Sequence, residues 1–89
     1  MIHDPQARLD YTWDWTAWLG AGETILNASI ALAPEGALTL IPPLEIDGGR
    51  VTVWLAGGTA GTDVKATLHI ETTQGREDDR TITIRVRDR

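Results

Sequence analysis

The sequence predicts an all-β fold, a single β-sandwich of six or seven antiparallel strands, and three observations carry that prediction. Apolar and polar residues alternate with period two in several separate runs. Turn signals built from Gly, Pro and Asp recur about every 8 to 12 residues, the spacing of a sandwich with Greek-key connections. No segment shows the apolar spacing of an amphipathic helix.

The elements follow in order. Asp4-Pro5 reads as a cap followed by a proline at a first helical position, which allows at most one turn before Arg8. Residues 1–8 are therefore expected to be an N-terminal arm without a regular element, and residues 9–89 the sandwich domain. Leu9, Tyr11, Trp13 and Trp15 alternate with Asp10, Thr12, Asp14 and Thr16, a strand with one buried face. After the Gly20-Ala21-Gly22 break, residues 24–32 resume, with Leu26, Ala28, Ile30 and Leu32 expected inside. Pro34-Glu35-Gly36 is a turn and residues 37–41 a short strand, ended by Pro42-Pro43 because proline cannot donate to a ladder. A brief edge strand at residues 44–46 precedes the Asp47-Gly48-Gly49 hairpin signal.

The clearest pattern lies further on. The run from Val51 to Ile70 alternates, breaks at the glycine-rich corner Gly57-Gly58-Thr59-Ala60-Gly61-Thr62, and resumes; Gln74-Gly75-Arg76 then leads into residues 81–87. In the last two strands Val64, Ala66, Leu68 and Ile70 are expected to share the core with Ile82, Ile84 and Val86. Lys65, Thr67, His69 and Glu71 face out, with Glu71 and Arg85 placed to pair across strands. The expected core comprises Tyr11, Trp15, Leu26, Ile30, Val53, Leu55, Leu68, Ile70, Ile82, Ile84 and Val86.

At 89 residues the chain is one domain, and a domain of this size buries somewhat over 60% of its unfolded surface. It contains no cysteine, which excludes disulfides and thiolate chemistry. No apolar run is long enough to span a bilayer and no signal peptide opens the chain, so no membrane is expected. The net charge of −5 argues against nucleic acid as a partner, since duplex binding needs clustered cations. The charge is unevenly spread: residues 1–49 hold seven acids and one base, residues 50–89 six acids and seven bases. An acidic face of one copy is thus able to meet an arginine-bearing edge of another, made of Arg76, Arg80, Arg85, Arg87 and Arg89.

Each chemical motif gives way to a structural reading. The glycine-rich corner lacks the lysine of a phosphate loop and leads into a strand. His3 and His69 have no ligand-spaced partner in sequence, and Glu77-Asp78-Asp79 lacks the spacing of a calcium loop. Asn27-Ala28-Ser29 fits a glycosylation acceptor but falls within a strand. Asp10 and Asp14 belong to the outer side of a strand rather than to a hydrolase pair. The expectation is no catalytic residue, no metal and no cofactor.

The tryptophans carry more information. Trp13, Trp15 and Trp18 lie within six positions, and all three do not easily fit inside so small a domain. Trp54 is the outward residue of its strand. An exposed tryptophan is a protein-protein anchor or a sugar-stacking platform, and no polar sugar-binding cluster accompanies these.

Taken together, Asp4-Pro5, the segment Leu9-Asp10-Tyr11 to Trp18-Leu19, the segment Val53-Trp54-Leu55 to Gly61-Thr62, Gln74-Gly75-Arg76 and Arg80-Thr81-Ile82 resemble the small tail or neck proteins of tailed bacteriophages and prophages, the fiber-tail adaptor proteins. The similarity spans nearly the whole chain. Asp63-Val64 stands where that family often has a tyrosine, so a tyrosine-corner hydrogen bond is not implied here. The resemblance implies an Ig-like, non-enzymatic virion protein, made in the host cytoplasm, present in many copies and bound to other tail, neck or fiber components. From the outward tryptophans, the glycine corner and the clustered arginines, the expected interface of this chain is Trp18, Trp54, Gly57, Gly58, Thr59, Gly61, Thr62, Arg85 and Arg87. Two other readings fit the sequence: a carbohydrate-binding module using Trp13, Trp18 or Trp54, and a capsid decoration protein.

Overall fold

The computed structural model describes residues 2–87. Its seven strands are β1 (Ile2–His3), β2 (Arg8–Asp14), β3 (Ile25–Ala33), β4 (Thr39–Asp47), β5 (Arg50–Ala56), β6 (Asp63–Thr72) and β7 (Glu77–Val86). They form a four-stranded sheet, β1-β7-β6-β3, and a three-stranded sheet, β2-β5-β4. The order β3-β6-β7 in one sheet and β2-β5-β4 in the other corresponds to the CFG and BED order of immunoglobulin-type sandwiches. All pairings are antiparallel except that of β1 with β7, which is parallel, a correction to the expectation of antiparallel strands throughout.

Period-two alternation builds the core. Tyr11 and Trp13 on β2, Val51, Val53 and Leu55 on β5, Val64, Ala66, Leu68 and Ile70 on β6, and Ile84 and Val86 on β7 all point between the sheets and are buried. Trp15, just beyond β2, is fully buried among them. Ile30 and Ile82 are partly buried against this cluster.

Four sequence expectations are corrected. Leu26 is exposed, not in the core, because the β3–β6 register shifts between Ile25 and Asn27. That bulge puts Ile25 inside in its place and returns Ala28, Ile30 and Leu32 to the inner side. Pro42-Pro43 does not end a strand. β4 runs through both prolines as an edge strand, with its register to β5 shifted between Ile41 and Glu45. Glu71 lies opposite Glu77 and Arg85 opposite Asp63, so the expected Glu71–Arg85 pair does not form. The N-terminal segment is not an arm without structure: Ile2 and His3 add to the edge of β7, and β2 already begins at Arg8. His3 is fully buried, and its Nδ1 lies 2.7 Å from the Tyr11 hydroxyl.

Candidate protein-contact surfaces

One end of the sandwich is formed by the glycine corner between β5 and β6. Gly58 has φ +104°, and a Cβ there would lie 3.0 Å from Leu38 Cδ2 and 3.1 Å from Val86 Cγ1. Only glycine fits both the conformation and the space. The Gly61 N–H donates to Val86 O at 2.8 Å, and the Val86 N–H donates to Thr62 O at 2.9 Å, so the corner is tied to the end of β7. Thr59 and Gly61 are exposed, while Gly57, Gly58 and Thr62 are half-buried. The tie also brings Arg85 and Arg87 to this end. Arg87 Nη2 donates to Asp63 Oδ1 at 3.0 Å; Arg85 is exposed and forms no ion pair among the described residues.

Trp54 stands on the outer face of the three-stranded sheet, between Asp10 on β2 and Ile41 on β4. It is half-buried, and a shallow groove beside it is lined by Arg8, Ile41, Pro42, Pro43 and Glu45. The β4 irregularity makes this groove: the register shift at the prolines takes place beside the ring. Further along the same face the Thr12 and Thr52 hydroxyls lie 2.9 Å apart, and Arg50 Nε donates to Asp14 Oδ2 at 3.2 Å. Asp14 also accepts from Thr16 Oγ1 and from the Thr16 N–H, and these bonds, with Arg50, lower its pKa to about 2.

Trp18 lies at the opposite end, apart from the other expected interface residues. The Arg76 guanidinium covers its ring at 3.9 Å from the centroid and donates to its carbonyl at 3.1 Å. The same guanidinium forms a two-point ion pair with Glu23, whose side chain is fully buried. Glu23 also accepts from the Gly20 N–H at 2.8 Å and from Thr72 Oγ1 at 2.5 Å. Arg76 first, then these two donors, holds the Glu23 carboxyl at about 2, well below its ordinary value. Beside this knot Trp15 Nε1 donates to Asp78 Oδ2 at 2.9 Å, and Arg80 stacks on the Trp15 ring at 4.8 Å.

These contacts revise the picture of a free arginine edge. Arg76, Arg80 and Arg87 are engaged within the chain, by Glu23, by Asp78 with Asp14 O, and by Asp63. Arg89 lies outside the described residues. The expected sugar platform is also reduced, since Trp13 is buried and Trp18 is capped by Arg76.

The outer face of the four-stranded sheet carries a cluster that sequence spacing did not reveal. His69 on β6 bonds Asp79 through Nδ1 and Glu77 through Nε2, the latter at 3.0 Å. The hydrogen bond to Asp79, with Glu77 beside it, raises the His69 pKa. His69, Glu71 and Glu77 offer ligand atoms within 4.8 Å of one another, a spacing that a divalent cation can bridge. Both ring nitrogens, however, already face carboxylates, an arrangement that favours imidazolium over a metal-binding imidazole. The partners come together only through the β6–β7 register, so no linear motif signals them.

The Glu23–Arg76 pairing and the double proline beside Trp54 are features that sequence reasoning missed. In sequence, Glu23 reads only as a charge, Arg76 as part of a turn and of a free arginine edge, and the prolines as a terminator.

The described residues thus form a small all-β sandwich with an apolar groove on one face and a glycine corner at one end. A family model described as podophage GP4 fiber-tail adaptor protein gp77 matches residues 3–85, and the chain belongs to that family. The family is one of structural phage fiber-tail adaptors. A comparison with curated proteins finds no match.

Proposed function

We propose that this chain is a structural virion protein that joins tail or neck components to fiber components of a tailed phage through protein-protein contacts. The family match over residues 3–85 supports this reading. The observation that carries the docking surface is the Trp54 groove, where a large ring, Ile41 and two prolines form an apolar floor between Arg8 and Glu45. Tryptophan and arginine are the side chains most enriched at interface hot spots. The glycine corner follows the same end of β5 and borders this surface. In the particle the chain acts in many copies within a symmetric assembly, without catalysis, nucleic acid or membrane.

Trp54→Ala tests the surface. The variant should fold with a thermal midpoint within about 3 °C of the parent, since the ring is on the outer face, yet enter particles poorly. Full incorporation would remove the Trp54 groove from the interface. Polysaccharide binding by the parent that is lost in the variant would favour the carbohydrate-binding module.

A further inference from the structure

β3 and β4 are each the last strand of their sheet, and no ladder joins them. They run side by side all the same. The turn through Pro34 and Gly36 connects them at one end, and at the other the Ile25 N–H donates to Gly48 O at 3.2 Å. Between these ties the side of the sandwich is incompletely closed. Ile30 and Leu32 on β3 are only partly buried. On β4, Leu40 lies opposite the buried Leu55 and Ile46 opposite the buried Val51, so both point to the inner side of their sheet. Yet they are 37% and 41% exposed. A shallow groove lined by Ile30, Leu32, Glu35 and Leu40 marks one end of this seam. Its rim carries one sign of charge. No Lys or Arg occurs between Arg8 and Arg50, whereas Glu35, Glu45 and Asp47 are exposed and form no ion pair among the described residues. Arg50, opposite Asp47 in register, is held by Asp14 at 3.2 Å.

We propose that this seam docks an extended basic segment of another protein, whose alternate aliphatic side chains enter between β3 and β4 while its Lys or Arg side chains meet Glu35 and Asp47. This is a second surface, and it stands whether or not the Trp54 groove is an interface. Aliphatic side chains left open on both borders call for an apolar occupant. The rim sets the sign of its charge. A second copy placed seam to seam would bring the same carboxylates against these, whereas a basic segment neutralises them. The borders also set its form. Inward side chains recur at every second residue of β3 and β4, a period that an extended segment matches and a helix does not. From Leu40 to Ile46 the seam runs about 20 Å at roughly 3.3 Å per residue, room for about six residues of occupant.

The test is a titration of the isotope-labelled protein, followed by amide chemical shifts, with a capped octapeptide of alternating Lys and Val. Saturable shifts are expected at Leu32, Leu40 and Ile46, with binding weakened by added salt. Octapeptides of alternating Glu and Val, or of alternating Lys and Ser, should bind at least about tenfold more weakly, since each lacks one half of the recognition. Reversing the rim in Glu35→Lys with Asp47→Lys should weaken the Lys-Val peptide about tenfold, and Leu40→Ser about fivefold. All three positions are exposed, and the unshifted remainder of the spectrum reports that the variants are folded. No saturation up to about 2 mM peptide would overturn the proposal. So would equal binding of the Glu-Val or Lys-Ser peptide, or shifts confined to Trp54 and Ile41 or to Glu71 and Glu77. Seam shifts that follow protein concentration without peptide would assign the seam to a second copy instead, and overturn it too.

Discussion

Arg76 and Glu23 sit 53 positions apart and meet as a two-point ion pair, with Nε donating to Oε2 at 3.0 Å and Nη2 donating to Oε1 at 2.5 Å. The pair fastens the β2–β3 loop to the β6–β7 turn, which also share the hydrogen bond from the Thr73 N–H to Thr24 O at 2.9 Å. It is asymmetric, since the Glu23 side chain is fully buried and that of Arg76 is 44% exposed. Such an acid depends on its partner, because an unpaired buried carboxylate is costly.

Arg76→Ala is therefore expected to lower the thermal midpoint by roughly 10 °C or more, a large effect for a domain of this size. Arg85→Ala, at an exposed arginine without an ion pair among the described residues, should change it by no more than about 2 °C. Differential scanning fluorimetry of the two variants checks the contrast, and equal shifts would deny the knot its structural role.

Trp15 is fully buried in the core and bonds Asp78. Trp15→Ala should cost about 3 to 5 kcal/mol by denaturant titration. Trp15→Phe, which keeps most of the volume but drops the indole donor, should cost less. A parent-like Trp15→Ala would mean that the ring does not occupy the core.

The β1 contact makes the N-terminus part of the fold before any assembly. The Arg87 N–H donates to His3 O at 2.9 Å, and the His3 ring lies against Tyr11. Deleting residues 1–3, or making His3→Ala, should destabilise the isolated chain by about 2 kcal/mol through lost packing and hydrogen bonds. Hydrogen exchange at Arg87 gives a local readout: protection in the parent and its loss in the deletion. An unprotected Arg87 amide in the parent would indicate that β1 is not formed in the isolated protein.

Two kinds of titration bound the stability against pH. Glu23 and Asp14, at about 2 against ordinary values of 4.5 and 3.8, stabilise the fold above those ordinary values. Their contribution is lost as the pH falls toward 2, when they protonate in the folded state as well. Asp78 follows the same sense, its pKa lowered first by the bond from Trp15 Nε1. His69 is opposite: its raised pKa gives a contribution that is complete below 6.5 and lost as pH rises through the folded value. The thermal midpoint should therefore peak near about pH 5 to 6. His69→Asn should flatten the alkaline side, and Glu23→Gln the acid side. A midpoint that climbs steadily from pH 5 to 8 would contradict this assignment.

Much of the fold was legible because period-two alternation is imposed by the pleat itself. Val51, Val53 and Leu55, and Val64 to Ile70, are buried as their spacing requires. What escaped was what alternation cannot encode. A bulge adds one residue and inverts the phase, which moved Leu26 out and Ile25 in. Proline removes a donor, yet an edge strand has a side on which no donor is needed, so β4 continues through Pro42 and Pro43. Of the proposed contact surface, Trp54 could be assigned to an outer face from parity alone. Trp18 could not, because its cover, Arg76, arrives from the other sheet's hairpin. The same long-range closure gathers His69, Glu77 and Asp79 and engages the arginines, so the charge asymmetry of the sequence does not survive as a free basic edge.

The most direct measurement of the central claim is cryo-electron microscopy of the intact particle at a resolution that traces this chain. The account predicts its density between tail or neck and fiber components, with Trp54, Ile41 and Pro42 covered by a different virion protein. Density on the capsid shell, or a tail position in which the Trp54 groove faces solvent, would contradict it.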